Sequence, residues 1–258
     1  MFNFKKIQIL VGKKIPKKIC LEPFNSLVCE FLDELSSNLL KSNEIKNYSD
    51  IVTFAFIRRK RNLLKIKDSL KDNFLRKGKG VVFHVTPSNV PINFAYSFLF
   101  SIISGNSNIV RVPSKNFVQI KIICKHLNKI LNKKKFIIFK ESNIFFRYEK
   151  NDKINEELSL ISDARMIWGG DNTIGEFKNY KTKLKSSDIL FNDKYSISII
   201  NSDEMLKIKN LDRFKRLIEG FYNDSLLIDQ NACSSPHLIL WTGKNCDKAQ
   251  NLFWKVFL

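Results

Sequence analysis

Short apolar runs, closed off by glycine, proline or polar turns, alternate with amphipathic segments along most of this 258-residue chain. That alternation limits the folds open to it. GKGVVFHVTP (78–87), SNIVRVPSK (107–115), KKFIIFK (134–140), ARMIWGG (164–170), KYSISII (194–200) and HLILWTG (237–243) read as strands. Between them INFAYSFLFSIISGN, FVQIKIICKHLNKIL, DKINEELSLIS, TIGEFKNYK and LDRFKRLIEGFYND place apolar residues at helical spacing. Strands alternating with helices over this length predict a doubly wound α/β fold on a mostly parallel sheet. Residues 1–77 predict a helical lead-in, carried by FNSLVCEFLDELSSNLLKS and IVTFAFIRRKRNLLKIKDSLKDNFLRK. No internal repeat or low-complexity linker interrupts the pattern.

In such a sheet, ligands bind at the carboxyl ends of the strands, so the loops there carry the functional reading. TPSNVPIN follows the first of the strands above, with two prolines fixing the turn and Asn89 between them. RVPSK follows the second, WGGDNTIG follows ARMIW, and DQNACSS lies near the end of the chain. All four are expected on one edge of the sheet.

The net charge of +19 raises the question of a polyanionic partner. The lysines are dispersed (KKIPKK, RRKRN, KILNKKK, KTKLK), and there is no arginine-rich tail or nucleic-acid motif. This argues against a specific nucleic-acid partner and leaves a weak nonspecific affinity for polyanions. The five cysteines include no CxxC pair, which argues against a structural zinc site. Their odd number, with no apolar signal segment in MFNFKKIQILVGKKIPKK, points to reduced thiols and a cytoplasmic protein. The longest apolar stretch, INFAYSFLFSIIS, is interrupted by polar residues and falls short of the ~20 residues a membrane helix needs.

Two loops suit a dinucleotide. At the end of the second strand a carboxylate would favour the free ribose hydroxyl of NAD, whereas a basic group accommodates the 2′-phosphate of NADP. Here Arg111, Ser114 and Lys115 are available and no carboxylate is near. Gly169, Gly170 and Asp171 form a glycine turn opening a helix, where backbone N–H groups attract a pyrophosphate. A basic surface loop and a common Gly-Gly turn would look the same, and no GxGxxG fingerprint is present.

Cys233 is the sharper feature. It sits among Ala232, Ser234 and Ser235, which leave room for a substrate. A thiolate attacks a carbonyl or thioester to form an acyl-enzyme, whose oxyanion needs hydrogen-bond donors. Asn89 and the backbone N–H of Cys233 are the candidate donors. Cys20, Cys29, Cys124 and Cys246 read as structural cysteines. His237, four residues from Cys233, is too close in sequence to make a good cysteine–histidine dyad.

HVTPSNVPINFAYSFLFSIISGNSNIVRVPSK, WGGDNTIGEF and DQNACSSPHL together resemble the long-chain acyl-CoA reductases. These are the LuxC-type components of the luminescence fatty-acid reductase complex, a branch of the aldehyde dehydrogenase superfamily. The resemblance runs from about residue 78 onward. It implies an aldehyde-dehydrogenase-like fold and NADPH-dependent reduction of a long-chain acyl-CoA, or of an acyl-protein from a transferase or synthetase partner, to the aldehyde. By it, Cys233 is the acyl-accepting nucleophile and Asn89 the oxyanion-hole asparagine. Gly169, Gly170 and Asp171 match the glycine-rich turn near the nicotinamide and phosphates, and Arg111 to Lys115 the adenosine-side loop. The hydrolytic members' Glu-Leu-Gly-Gly corresponds to LFNDK (190–194), which has no glutamate to activate water.

The implied domains are a helical region over 1–77, an NADP-binding Rossmann-like domain over 78–225, and over 226–258 the start of a truncated catalytic domain. Family members run to nearly twice this length and oligomerise in full-length form. On that basis Leu252, Phe253, Trp254, Val256, Phe257 and Leu258 are expected to lack partners. The competing expectation is a catalytically inactive nucleotide-binding or interaction fragment of such a reductase.

Overall fold

The structure, a computed structural model, describes residues 7–13, 15–70, 74–226, 230 and 232–257. The chain divides into two compact units, Met1–Asn192 and Asp193–Leu258.

The first unit begins with β1 (Gln8–Val11), α1 (Ser26–Leu40), a 3₁₀ turn (Asn43–Ile45), α2 (Ser49–Ile57) and α3 (Lys60–Ser69). It continues with β2 (Val81–Val85), α4 (Asn93–Ile103), β3 (Ser107–Arg111), α5 (Val118–Leu131), a second 3₁₀ turn (Lys134–Phe136) and α6 (Ile137–Ser142). It closes with β4 (Asn143–Arg147), α7 (Asp152–Ile161), β5 (Ala164–Trp168), α8 (Asp171–Asn179) and β6 (Ser187–Phe191). The six strands lie in the order β1-β4-β3-β2-β5-β6. β1 runs antiparallel to β4, and the other pairs are parallel.

Both faces of this sheet are covered, as parallel strands require. Val110 and Phe145 face one core with α1, α4 and α5, while Phe83, Ile109, Ile144 and Ile167 face a second with α7 and α8. Strand order reverses at β2. The chain steps through β3 and β4 on one side, then returns to β5 and β6 on the other. α4 after β2 packs into the first core and α8 after β5 into the second, so the two strands release their chains to opposite faces.

Three expectations change here. KKFIIFK (134–140) is not a strand. Phe136 and Phe139, three apart, are buried against Phe31 at 5.5 and 5.1 Å between ring centroids, while Ile137 is exposed. That is helical spacing, and the strand is the next run, NIFFR, buried on both faces. The lead-in is not wholly helical either, because β1 pairs with β4. The segment from Ile51 breaks at Arg59, whose extended backbone (φ −56°, ψ 136°) separates α2 from α3. The end of the long helix expected over 51–77 falls partly on residues 71–73, which lie outside the described residues.

A buried polar row crosses the face of the sheet that meets α4. Trp168 Nε1–H donates to Ser97 Oγ (3.1 Å), and Ser97 lies 2.8 Å from His84 Nδ1. His84 Nε2 lies 3.0 Å from Asn108 Oδ1, and Asn108 Nδ2 donates to Asn143 Oδ1 (2.7 Å). Asn143 Nδ2 donates in turn to the Phe139 carbonyl (2.7 Å). With Asn108 offering its oxygen, His84 fits the neutral Nε2–H tautomer, and the single Ser97 hydroxyl proton lies within reach of both His84 Nδ1 and Met166 Sδ (2.9 Å).

The second unit holds β7 (Ser196–Asn201), α9 (Ser202–Leu206), α10 (Leu211–Ser225), β8 (Pro236–Thr242) and α11 (Cys246–Phe257). β7 and β8 pair in parallel, so the boundary expected at 225/226 would divide a strand pair, and the observed division lies at 192/193. Met205, Phe214, Ile218, Ala249 and Phe253 form its core. The expected orphan helix is therefore largely satisfied: Phe253 is fully buried, and only Leu252 and Val256 are exposed. Leu258 lies outside the described residues. The exposed apolar surface is instead the outer face of the strand pair, where Ile197 opposes Leu238 and Ile199 opposes Leu240.

Burial pushes the pKa of His84 down to about 4, against the opposing pull of its Asn108 bond. The unfolded chain takes up this proton near pH 6.5, while the folded chain refuses it until about pH 4. The stability contribution is complete above about pH 6.5 and is lost as pH falls toward 4, by ~3 kcal/mol at 1.4 kcal/mol per unit. Urea unfolding at about pH 7.5 and about pH 4.5 should show this loss, and His84→Asn should reduce it. An unchanged difference in the variant would remove His84 as its source.

Candidate active site

The reversal of strand order between β2 and β5 opens the place where ligands sit in such sheets. The loop after β2, residues 86–92, turns at Pro87 and Pro91 and delivers the chain to α4. Thr86 Oγ1–H donates to the Arg111 carbonyl (2.8 Å), tying this loop to the end of β3. Asn89 is exposed in the bend that follows.

At the end of β3 the Arg111 guanidinium lies 4.6 Å from the centroid of the Tyr148 ring, a cation–π contact. Tyr148 is buried, and its hydroxyl donates to Asn155 Oδ1 (2.6 Å). The ring under Arg111 is thus fixed. Ser114 and Lys115 are exposed, with Lys115 Nζ 5.1 Å from the Phe117 ring. Arg147 Nε donates to the Pro113 carbonyl (2.9 Å) and pins this loop to β4. Residues 111–117 contain two cations and no carboxylate.

At the end of β5 the chain turns through Gly169 and Gly170 into α8. A Cβ on Gly169 would sit 3.0 Å from the Thr173 Cβ, which favours glycine there. Gly170 is the N-cap, and no side chain caps the helix. Its first-turn N–H groups are not answered by a capping side chain and suit an anion. Asp171 in that turn opposes this, but its carboxylate accepts from Asn192 Nδ2 (3.3 Å). α8 is held from below by Arg165, whose Nη1 donates to the Phe177 carbonyl (2.8 Å). Arg165 is itself buried in a two-point ion pair with Asp188 of β6, at 2.7 and 2.6 Å. The uncapped start of α8 and, on the loop two strands away, the two cations of residues 111–117 are groups that could hold a dinucleotide.

The first unit thus brings Asn89, Arg111, Ser114, Lys115, Gly169, Gly170 and Asp171 to the carboxyl edge of three adjacent strands. Cys233 belongs to the second unit. It is exposed, in a turn where Ser235 N–H donates to the Ala232 carbonyl (2.9 Å) and Ser196 Oγ–H to the Cys233 carbonyl (2.7 Å). This turn lies between α10 and β8, a helix and a strand, and β8 belongs to a separate two-stranded sheet rather than to the six-stranded sheet whose edge the other three loops line. Its neighbours 227–229 and 231 lie outside the described residues. The His237 ring stacks on Tyr195 at 5.2 Å. Among the described residues no cluster of His, Cys, Asp or Glu could hold a metal ion. Nor is any described helix long and apolar enough to cross a membrane.

Sequence reasoning missed Thr86, Tyr148, Trp168 and Phe191. Thr86 and Trp168 lie in loops already expected at this edge but look like ordinary turn or core residues in sequence; Tyr148 and Phe191 are placed there only by strand register.

Solved structures share this fold, and they are aldehyde dehydrogenases. Betaine aldehyde dehydrogenase from Staphylococcus aureus, a G234S mutant without ligand, matches with a TM-score of 0.65 and 14% identity, over 88% of this chain and 48% of that one. The same enzyme in complex with NAD+ matches with a TM-score of 0.61 and 14% identity, over 89% and 47%. Lactaldehyde dehydrogenase from Escherichia coli matches with a TM-score of 0.59 and 12% identity, over 88% and 50%. The chain spans about half the length of these structures. A comparison with curated protein sequences gives no match.

The fold is therefore of the aldehyde dehydrogenase class. The sequence profile of the acyl-CoA reductase (LuxC) family matches residues 55–251, and the chain belongs to that family.

Thiol exposure gives a direct check. Burial raises the Cys29 thiol pKa and pushes that of Cys124 up to about 12, whereas Cys20 and Cys233 are exposed. Brief iodoacetamide treatment of the folded protein, followed by peptide mass mapping, should label Cys233 and Cys20 and spare Cys29 and Cys124. Labelling of Cys124 as fast as Cys233 would contradict the packing described.

Proposed function

We propose that this chain forms part of a cytoplasmic enzyme that reduces an activated long-chain acyl group to the aldehyde with NADPH. The acyl donor is an acyl-CoA or an acyl-protein thioester supplied by a transferase or synthetase partner, and the enzyme is oligomeric in full-length form. The observation that carries this reading is the family match across 55–251, which includes both the first unit's sheet edge and Cys233.

The Cys233 thiolate attacks the thioester carbonyl carbon. The new S–C bond forms as the donor's C–S bond breaks, the donor leaves as its thiol after taking a proton, and the acyl group stays on Cys233. The small side chains of Ala232, Ser234 and Ser235 favour this by leaving the sulfur accessible. The resemblance assigns the oxyanion-donor role to Asn89, and that assignment is part of the proposal. NADPH, when bound, would supply the hydride that adds to the acyl carbon as its bond to the Cys233 sulfur breaks, so that the aldehyde, NADP+ and the free Cys233 thiolate are released. Arg111, Ser114 and Lys115 would hold its 2′-phosphate side, and Gly169, Gly170 and the first turn of α8 its pyrophosphate. The Leu190–Lys194 segment offers no glutamate to activate water, which favours reduction of the acyl-enzyme over its hydrolysis.

Incubation with radiolabelled long-chain acyl-CoA should leave label on the peptide containing Cys233. Cys233→Ala should abolish it and Cys233→Ser should retain it as an oxygen ester; unchanged labelling of the alanine variant would sink the assignment.

Calorimetry should show NADPH binding more tightly than NADH. Arg111→Ala and Lys115→Ala should each weaken NADPH by about one to two orders of magnitude, since a charge-assisted contact contributes ~1.5–3 kcal/mol. Equal affinities in the parent chain would refute the preference.

A further inference from the structure

The Gly169–Gly170 turn cannot hold its own shape, because glycine has the widest conformational freedom of any residue. Its neighbours supply the constraint. Trp168 and Phe191 are directly paired at the ends of β5 and β6, and their rings stack face to face, 3.7 Å between centroids and 5° between planes. Gly169 N–H donates to the Phe191 carbonyl (3.2 Å), extending the strand pairing one residue into the turn. The bond from Trp168 Nε1 to Ser97 Oγ fixes the rotation of the indole, and Ser97 is itself held within the buried row through His84. Asn192 Nδ2 holds the Asp171 carboxylate toward the end of β6.

Core burial does not account for this arrangement. Trp168 is only half-buried and Phe191 is 37% exposed, so the stack lies on the rim of the sheet. It stands next to the uncapped start of α8. The Asn192 contact also bears on charge: a free Asp171 carboxylate beside the first-turn N–H groups would compete with an incoming phosphate.

We infer that Trp168, Phe191 and Asn192 form a clamp that presets the Gly169–Gly170 turn for a dinucleotide pyrophosphate. They are positioning residues: Trp168 and Phe191 set the backbone, and Asn192 restrains the one carboxylate in the turn. The inference rests on the reading of this edge as a dinucleotide site. Presetting matters because a turn that must be ordered on binding loses affinity to the ordering cost.

Two measurements on the full chain separate the clamp from that reading. The first is amide hydrogen exchange of residues 169–173 without ligand; the second is NADPH affinity by fluorescence titration. Phe191→Leu and Trp168→Leu should each speed exchange at the turn and weaken NADPH about two- to tenfold, the size expected for loss of one aromatic stack. The double variant should be little worse than either single one, because both remove the same contact. Phe191→Tyr, which keeps the stack, should restore both readouts. Asn192→Ala should weaken NADPH with little change in exchange. Exchange unaltered by Phe191→Leu would overturn the clamp. Faster exchange with unaltered NADPH affinity would reduce the stack to sheet-end packing and overturn the positioning role. A parent chain that binds neither NADPH nor NADH would overturn the dinucleotide reading and this inference with it, whatever the exchange data show.

Discussion

β2 is the strand on which the first unit turns. It is paired on both sides, with β3 and β5, and its whole length is buried. Parallel strands leave no face for water, so helices must cover both. The chain fills one side of β2 and then the other, and the helices after β2 and β5 leave to opposite faces. The loops after these strands are therefore spread apart at one edge. The candidate site exists because of that separation, not because of any glycine fingerprint.

The buried polar row ties this edge to the rest of the sheet. It runs from Trp168 at the rim through Ser97 and His84 to Asn108 and Asn143. Apolar residues would cover the same area at no risk of unsatisfied groups, and a polar row in a core is favourable only when every member finds a partner. Here each member has a partner, with side branches from Ser97 to Met166 Sδ and from Asn108 to the Asn106 carbonyl, and the row ends on the Phe139 carbonyl. The row fixes the register of four strands and the indole beside the glycine turn together. Arg165 does comparable work on the opposite face, joining β5, β6 and α8.

How much of this could be read in the sequence depends on burial. β2, β3 and β5 were legible because apolar runs between turn residues have few other uses. KKFIIF and NIFFR are alike in composition, and what marks the second as β4 is which residues the tertiary packing buries. β1 and β6 are less legible because they are short edge strands whose apolar runs, ILV and ILF, are only three residues long and partly exposed. Cys233 and the loops at 86–92, 111–115 and 169–171 stood out because thiols, prolines, glycines and clustered cations are distinctive. Tyr148 beneath Arg111 and Phe191 against Trp168 did not, since an aromatic residue at a rim looks the same in sequence as one in a core. The setting of Cys233 between a helix and a strand is legible because LDRFKRLIEGFYND has strong helical spacing and HLILW is a short apolar run; that β8 pairs with β7 in a sheet of its own is not, because that pairing depends on long-range contacts.

The central claim is that the carboxyl edge of β3, β2 and β5 is a phosphorylated dinucleotide site. A crystal structure of the chain soaked with NADP+ tests it most directly. The account predicts the 2′-phosphate beside Arg111 and Lys115 and the pyrophosphate at Gly169–Gly170, over the start of α8. Density for the dinucleotide at another edge of the sheet, or at this edge with the 2′-phosphate turned away from both cations, would contradict it.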